Sequence, residues 1–299
     1  MNELIMFYVA IPSFIVTMIL EFWWIHKRKT NTTKQIIGYE LKDTAASLTM
    51  GLGYLGCRSL WKLAEIPFYF LVYEMRLFEF DATLLAWVAT FVLQDFCYYW
   101  YHRFSHESRI LWAGHVNHHS SQHYNLSTAL RQSWTSYFSS VLFYIPIPLL
   151  GFHPIMLGTA ALLHLFYQYW IHTEAIGKLG WLEHIFMTPS HHRVHHATNE
   201  KYLDRNHGGL FIFWDKLFGT FAAEETPPVY GITKNLKSFN PIIIAFHEYR
   251  DIYLDLRGAR SIKHALGYVF MPPGWSPQST AEPKQDRENA YPKSTSLTP

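Results

Sequence analysis

The chain has 299 residues, of which 49% are hydrophobic, 17% aromatic and only 16% charged. Because roughly 25% of the residues of an average soluble domain are charged, this composition favours a membrane protein. The net charge of +2 is not concentrated in a basic stripe, so nucleic acid is excluded as a partner. Cys57 and Cys97 both lie in apolar stretches and predict neither a disulfide framework nor a CxxC motif.

The first predicted element is a membrane span. Residues 4–20 are uncharged and the apolar character continues to Ile25, which is long enough to cross a bilayer. A secretory signal peptide would need a basic N-terminal region and a small-residue cleavage site, and neither is present. Lys27, Arg28 and Lys29 follow the span, so the positive-inside rule places the N-terminus outside and residue 30 in the cytoplasm. The alternative is a buried helix of a soluble protein.

The following segments predict four further crossings. We interpret residues 44–64 as one span, after which Pro67 leads into an amphipathic, aromatic stretch at the interface; the alternative is a hairpin of two spans. Residues 82–101 form a span that only Asp95 interrupts. Residues 132–173 contain no Asp, Glu, Lys or Arg and carry prolines in the middle, which predicts a helical hairpin that crosses out and back.

These segments predict an all-α, multi-pass integral membrane protein with about five transmembrane helices. Three crossings precede residue 102, and the hairpin adds an even number, so the regions on both sides of the hairpin are expected on the cytosolic face. We expect a transmembrane and interfacial region at 1–81, a catalytic region at 82–275 and a disordered tail at 276–299.

Histidine is the most informative residue type in the chain. Fifteen of the 18 histidines fall between residues 102 and 207, and eight of them form three clusters. Within each cluster the spacing is i, i+4 or i, i+3, i+4, which places the imidazoles on one face of a helix. The clusters are His102 and His106; His115, His118 and His119; and His192, His195 and His196.

The clusters predict a metal centre, since imidazole binds iron, zinc and copper well. Eight histidines exceed the four ligands of one tetrahedral site, so two metal ions that share about nine ligands fit better. His172 follows the last hairpin helix at the expected depth of His102, and it is the candidate for the ninth ligand.

The neighbouring polar residues are expected to support these ligands. Asp95 lies seven residues before His102, two helical turns back on the same face, and is expected to accept the N–H of a ligating histidine. Glu107, directly after His106, is either a similar acceptor or a surface acid. His191 is expected outside the ligand set. The isolated histidines are expected to be structural or exposed: His123, His153, His164, His184 and His207.

The three clusters resemble the histidine boxes of the fatty acid hydroxylase/sterol desaturase superfamily. The flanking words Trp112-Ala-Gly-His-Val-Asn-His-His, Tyr167-Gln-Tyr-Trp-Ile-His-Thr-Glu174 and Trp214-Asp-Lys-Leu-Phe-Gly-Thr-Phe221 look like the alkylglycerol monooxygenase branch, and the resemblance covers roughly residues 83–275. It implies a membrane-bound non-haem di-iron oxygenase, with the eight box histidines as iron ligands and Glu107 as a residue needed for activity. The branch cleaves O-alkylglycerol ethers with oxygen and tetrahydrobiopterin.

The expected function is therefore a lipid monooxygenase that uses two iron ions, molecular oxygen and an external electron donor. Within the enzymes, the alternative is a hydroxylase or desaturase of a sterol, a carotenoid or another lipid. A zinc hydrolase with Glu183 and His184 as its base is a weaker alternative, because the HExxH spacing is missing. A metal transporter or sensor would need polar residues along a path through the bilayer, whereas these ligands cluster at one surface.

Overall fold

The computed structural model describes residues 6–29 and 36–277. Within these ranges the protein is helical, and its only β-type pairings are two isolated bridges, Phe186 with Phe211 and Ala197 with Tyr230. The first two residues of the first predicted span and nearly all of the predicted disordered tail lie outside the described residues. The helices are α1 (Ile11–Lys29), α2 (Leu41–Glu74), α3 (Leu84–Glu107), α4 (Arg109–Ala113), α5 (Val116–His119), α6 (Tyr137–Phe143), α7 (Pro146–Leu150), α8 (Pro154–Trp170), α9 (Pro189–His195), α10 (Phe213–Leu217), α11 (Pro241–Arg257) and α12 (Ile262–Phe270).

The first predicted span coincides with α1. Among the described residues, Tyr8–Arg28 is the one helical stretch that is long and apolar enough to cross a membrane by length and composition. Its side chains at Ile15, Ile19 and Trp23 are exposed, as a lipid-facing surface requires. The remaining spans of the predicted five do not meet this criterion, and the multi-pass topology therefore stays a proposal.

Helix α2 differs from the prediction, because it continues through Pro67 to Glu74 and has 34 residues in total. Neither an ending near residue 64 nor a hairpin of two spans is observed. Proline removes one hydrogen bond from a helix, but packing holds the helix here: Tyr69 is buried and its hydroxyl donates to the carbonyl of Val141. Within the helix, Arg58 forms an ion pair with Glu65.

Helix α3 and the predicted hairpin form the main apolar core. Thr83 caps α3 by accepting the backbone N–H of Ala86 at 3.2 Å. The hairpin consists of α6 and α7, a turn at Gly151 with φ 112°, and α8. A Cβ at Gly151 would lie 2.1 Å from the carbonyl oxygen of Phe78, so only glycine fits this turn. Eight buried residues form the core: Tyr69, Ala86, Cys97, Val141, Ile147, Phe152, Met156 and Leu157.

The end of α3 and the end of α8 lie side by side, and the histidine-rich segments fold over them. Helices α11 and α12 cover the far side of α4. Arg109 holds this arrangement together, because its guanidinium donates to Glu248 at 2.7 Å and to Asp255 at 2.6 Å on α11. The site is thus built where two long helices end, under a cover of short helices and loops.

Candidate metal centre

The structure brings all nine predicted histidines together in two groups. The candidate ligand nitrogens of each group lie within 4.8 Å of one another. The five-histidine group consists of His102, His106, His115, His119 and His195, and the four-histidine group consists of His118, His172, His192 and His196. All are buried except His115, which is partly exposed.

Adjacent histidines in the sequence are divided between the two groups. In α5, His118 belongs to the four-histidine group and His119 to the five-histidine group; His196 and His195 divide in the same way. Consecutive residues on a helix point about 100° apart, so each adjacent pair supplies one nitrogen to each group. The groups therefore lie next to each other, and the rings of His119 and His196 stack at 4.4 Å.

The Nε2 atoms of each group converge on a common point. In the five-histidine group, the Nε2 of His115 lies 3.0 Å from those of both His102 and His119. In the four-histidine group, the Nε2 of His172 lies 3.1 Å from that of His118 and 2.9 Å from that of His192.

The opposite ring nitrogens fix the tautomers of four of these histidines. Each Nδ1–H faces a backbone carbonyl: His102 faces His207 at 2.8 Å, His118 faces Arg131 at 3.3 Å, His172 faces Gln168 at 2.7 Å and His195 faces Arg205 at 3.0 Å. A neutral imidazole that donates from Nδ1 carries only a lone pair on Nε2. The paired Nε2 atoms of His118 and His172 then cannot hydrogen-bond to each other.

A cation between these lone pairs resolves the conflict, and hydrogen bonds from ligating histidines to carbonyls are the usual outer partners of a metal site. The Nε2 of His106 is likewise buried without a hydrogen-bond partner. Because every donor is an imidazole nitrogen, the two groups fit iron, zinc or copper rather than magnesium or calcium.

The electrostatics keep these imidazoles neutral. Burial, reinforced by neighbouring imidazoles, holds the pKa values of His115, His119 and His195 well below the ordinary value of 6.5. Burial lowers the pKa of His118 to about 4. Only the neutral ring has a free lone pair, so at pH 7 these side chains are in the form that binds metal.

Comparison with known proteins places this site in a family. Residues 87–220 match the model of the Fatty acid hydroxylase family, and this segment contains all nine histidines. Residues 87–220 therefore form a Fatty acid hydroxylase domain. The resemblance predicted from the histidine boxes is thereby confirmed. No solved structure matches this chain.

Several curated relatives carry informative names. A human protein named alkylglycerol monooxygenase is 40% identical over 272 residues, which is 90% of this chain and 59% of the relative. The zebrafish (Danio rerio) protein of that name is 40% identical over 241 residues, or 80% of this chain and 54% of the relative. An ornithine lipid hydroxylase of Rhizobium tropici is 33% identical over 132 residues, 44% of this chain and 40% of the relative. The chain thus spans between two fifths and three fifths of the length of these relatives.

The prediction that Asp95 accepts a hydrogen bond from a ligating histidine is wrong. Asp95 is fully buried, and the histidine that it contacts is His164, whose Nε2 lies 2.6 Å from Oδ1. Its other partners are the backbone N–H groups of Leu210 and Phe211 and the indole N–H of Trp214. The imidazole of His164, on α8, packs beside α3 and occupies the position next to this carboxylate. Four of the predicted ligands donate to backbone carbonyls instead.

Glu107 was predicted to be either an acceptor for a ligating histidine or a surface acid, and the structure places it at the surface. Its side chain is 40% exposed and forms an ion pair with Arg103 at 2.8 Å. Arg103 also donates to the hydroxyl of Tyr99 at 3.2 Å. No hydrogen bond joins Glu107 to a histidine among the described residues, and its role in activity stays a prediction.

The remaining histidines lie outside the two groups. His153 caps α8 by accepting the N–H of Ile155 at 3.2 Å. The Nδ1 of His191 faces the carbonyl of Phe186 at 3.2 Å, on the side of α9 away from the ligands. His207 is fully buried beside the five-histidine group, with ring centres of His207 and His106 separated by 5.0 Å. Its backbone carbonyl, rather than a ring nitrogen, forms the hydrogen bond to a ligand, His102.

Two charged residues that hold α9 were not recognised from the sequence as part of the site. Glu183 accepts hydrogen bonds from the hydroxyls of Ser190 at 2.7 Å and Thr188 at 3.2 Å, so it fixes the start of α9. Glu183 lies outside both histidine groups. Arg193 is buried, pairs with Glu224 at 2.7 Å and donates to the carbonyl of Thr173, next to His172.

Proposed function

We propose that this protein is a membrane-bound lipid monooxygenase that holds two non-haem iron ions and cleaves O-alkylglycerol ethers. The observation that supports it most directly is the convergence of nine imidazoles in two adjacent groups. When bound there, iron supplies the activation of molecular oxygen for insertion into a C–H bond. The nine histidines bind and orient the ions, and the carbonyls of His207, Arg131, Gln168 and Arg205 hold four of the rings in place.

The names of the relatives favour an ether as the substrate. The relatives named alkylglycerol monooxygenase are more similar and match over a longer part of the chain than the relatives named lipid or fatty acid hydroxylase. Hydroxylation of the carbon next to the ether oxygen consumes one O₂, two electrons and two protons, and releases one water. The resulting hemiacetal breaks into a fatty aldehyde and a glycerol. The electrons come from an external donor, for which tetrahydrobiopterin is our candidate.

An apolar groove of about 510 Å³ offers a place for the alkyl chain. Its walls include Leu111 of α4, Phe138 and Leu142 of α6 and Phe246 of α11, with the hydroxyl of Thr135 at one side. Ile110 and Leu111 belong to the helix that leads to His115, the one partly exposed histidine of the two groups. The groove thus lies along the helix that precedes the first histidine of the second box.

We further propose that the protein crosses the membrane several times and that its metal centre lies on the cytosolic face. Exposed leucines along the predicted spans support this, since Leu60, Leu63, Leu84 and Leu85 are each more than 70% exposed. The basic end of α1 lies on the side of the metal groups. Glu21 of α1 accepts hydrogen bonds from the N–H of Leu126 at 2.8 Å and from Thr173, the residue after His172.

The decisive experiment incubates membranes that contain the protein with an alkylglycerol, oxygen and tetrahydrobiopterin, and measures fatty aldehyde. Aldehyde that requires all three additions is the expected result. A hydroxylated lipid without ether cleavage would favour the alternative, a hydroxylase or desaturase of another lipid, which the 33% identity to an ornithine lipid hydroxylase also supports. No oxidised lipid product from an iron-loaded preparation would contradict the monooxygenase proposal. The matched control is His195→Ala, which removes one imidazole of the five-histidine group.

A further inference from the structure

Asp95 and His164 form a buried polar pair between two predicted membrane spans, and the proposed reaction gives them no role. Asp95 is 0% exposed and His164 is 1% exposed. A carboxylate inside a membrane helix is expensive and is usually functional. Here it is compensated by four donors, because two backbone N–H groups, one indole N–H and the His164 ring surround its two oxygens.

One arm of this arrangement leads to the five-histidine group. Oδ1 of Asp95 accepts the N–H of Leu210 at 2.7 Å, and Oδ2 accepts the N–H of Phe211 at 3.2 Å. These bonds fix one end of the segment 207–211, and Asp215 fixes the other end by accepting the N–H groups of His207 and Gly208. The first residue of this segment is His207, whose carbonyl accepts the Nδ1–H of His102 at 2.8 Å. Asp95 therefore acts together with Asp215 on the position of the carbonyl that orients His102.

The other arm leads to the four-histidine group. The Nε2–H of His164 donates to Asp95, and the Nδ1 of His164 accepts the side-chain amide of Gln168 at 2.7 Å. The backbone carbonyl of Gln168 accepts the Nδ1–H of His172 at 2.7 Å. The side-chain oxygen of Gln168 also accepts the hydroxyl of Tyr98 at 2.7 Å, which fixes this side chain at both ends.

The two arms are packed together at His164. A Cβ placed on Gly209, in the middle of the segment 207–211, would lie 2.1 Å from Cε1 of His164. The glycine therefore lets the backbone of one arm touch the ring of the other. One carboxylate and one imidazole are thus hydrogen-bonded to the two segments whose carbonyls support the two histidine groups.

We propose that Asp95 and His164 are positioning residues that jointly orient His102 in the five-histidine group and His172 in the four-histidine group. The pair touches no ligand nitrogen and acts through the carbonyls of His207 and Gln168. Loss of such outer partners typically weakens metal binding by roughly 10- to 100-fold. The inference rests on the proposed two-metal function.

The test uses Co²⁺ alone as the probe, in anaerobic titrations of the full-length purified protein followed by visible absorption. Wild type is expected to bind two Co²⁺ per chain. Asp95→Asn replaces one acceptor oxygen by an NH₂ group, so both affinities should fall by roughly 10- to 100-fold. His164→Gln keeps a donor toward Asp95 but loses the acceptor for Gln168, so mainly the affinity of the four-histidine group should fall, by about 10-fold. Thr90→Val, the matched control, removes a buried hydroxyl of α3 that donates to the carbonyl of Ala86 outside both arms, and it should change both affinities less than about 3-fold.

The absorption spectrum at saturating Co²⁺ separates positioning from a general loss of stability. We expect the bands of one ion to change in His164→Gln, with an unaltered circular dichroism spectrum in the far ultraviolet; if Asp95→Asn does not fold, this variant alone decides. Two ions in wild type with unchanged affinities and spectra in the folded variants would overturn this inference and leave the proposed function standing. Fewer than two ions in wild type would overturn both.

Discussion

Asp215 should make the stability of the protein depend on pH in an unusual direction. The residue is fully buried, and its carboxylate accepts the N–H groups of His207 at 2.7 Å and Gly208 at 2.8 Å and the hydroxyl of Thr220 at 2.6 Å. Burial raises the pKa of Asp215 from 3.8 to about 6, although these three donors oppose the shift and the charge of Asp95 adds to it. The native state therefore holds this proton more tightly than the unfolded chain.

The size of the effect follows from the two pKa values. At about 1.4 kcal/mol per pH unit, the raised pKa costs the native state about 1.6 kcal/mol at pH 5 and about 3 kcal/mol at pH 8. The favourable contribution is complete below pH 3.8 and is lost as the pH rises through 6. Asp215→Asn removes this titration but leaves the N–H of Gly208 without its acceptor, a pH-independent loss of roughly 1–3 kcal/mol.

The measurement compares the free energy of unfolding of wild type and Asp215→Asn in detergent, by guanidinium titration and tryptophan fluorescence, at pH 5 and pH 8. The free energy of unfolding of wild type, relative to that of Asp215→Asn, should fall by about 1.4 kcal/mol between pH 5 and pH 8. Titrations of the histidines occur in both proteins and cancel in this comparison. A wild type that gains stability relative to Asp215→Asn as the pH rises would show that the carboxylate is stabilised in its charged form, and the reasoning would fail.

Three further outcomes are expected. His172→Ala should lower bound iron from two ions per chain to one, measured by elemental analysis after anaerobic loading, whereas His191→Ala, a buried neighbour outside both groups, should retain two. Arg193→Met leaves Glu224 and two carbonyls without their donor, so the free energy of unfolding should fall by about 3–5 kcal/mol; an unchanged denaturation midpoint would contradict this. Because the pKa of His118 is lowered to about 4, the metal-free protein should lose stability as the pH falls from 6.5 toward 4, seen as a falling thermal midpoint; a rising midpoint would contradict it.

The nine histidines that form the two groups were predictable as one set of ligands, because their spacing follows from local helix geometry. The spacings i, i+3 and i+4 place box residues on one helical face, and the charge-free hairpin brings the third box back beside the first two. His172 could be added from its depth at the end of the hairpin. All nine residues come together in the structure.

The supports of these ligands were not predictable, because they depend on tertiary contacts. Four ligands use backbone carbonyls, which every residue carries and which no sequence pattern marks. Asp95 was recognised as functional because a carboxylate inside a membrane-spanning helix is energetically costly. Its partner His164, however, lies 69 residues away on another helix. Pro67 was predicted to follow the end of the helix because proline disfavours a helix interior. The packing of the buried Tyr69 overrides this local preference.

The HxxHH spacing itself argues for two metal ions rather than one. A single site would be served by histidines at i and i+4, and an adjacent histidine about 100° away would point elsewhere. Two boxes carry such an adjacent pair, His118 with His119 and His195 with His196, and both pairs divide between the two groups. The boxes lie on different helices and divide in the same way, which supports the proposal of two neighbouring metal ions. Replacing one member of a pair should therefore impair one ion more than the other, which is a behaviour that a single shared site would not show.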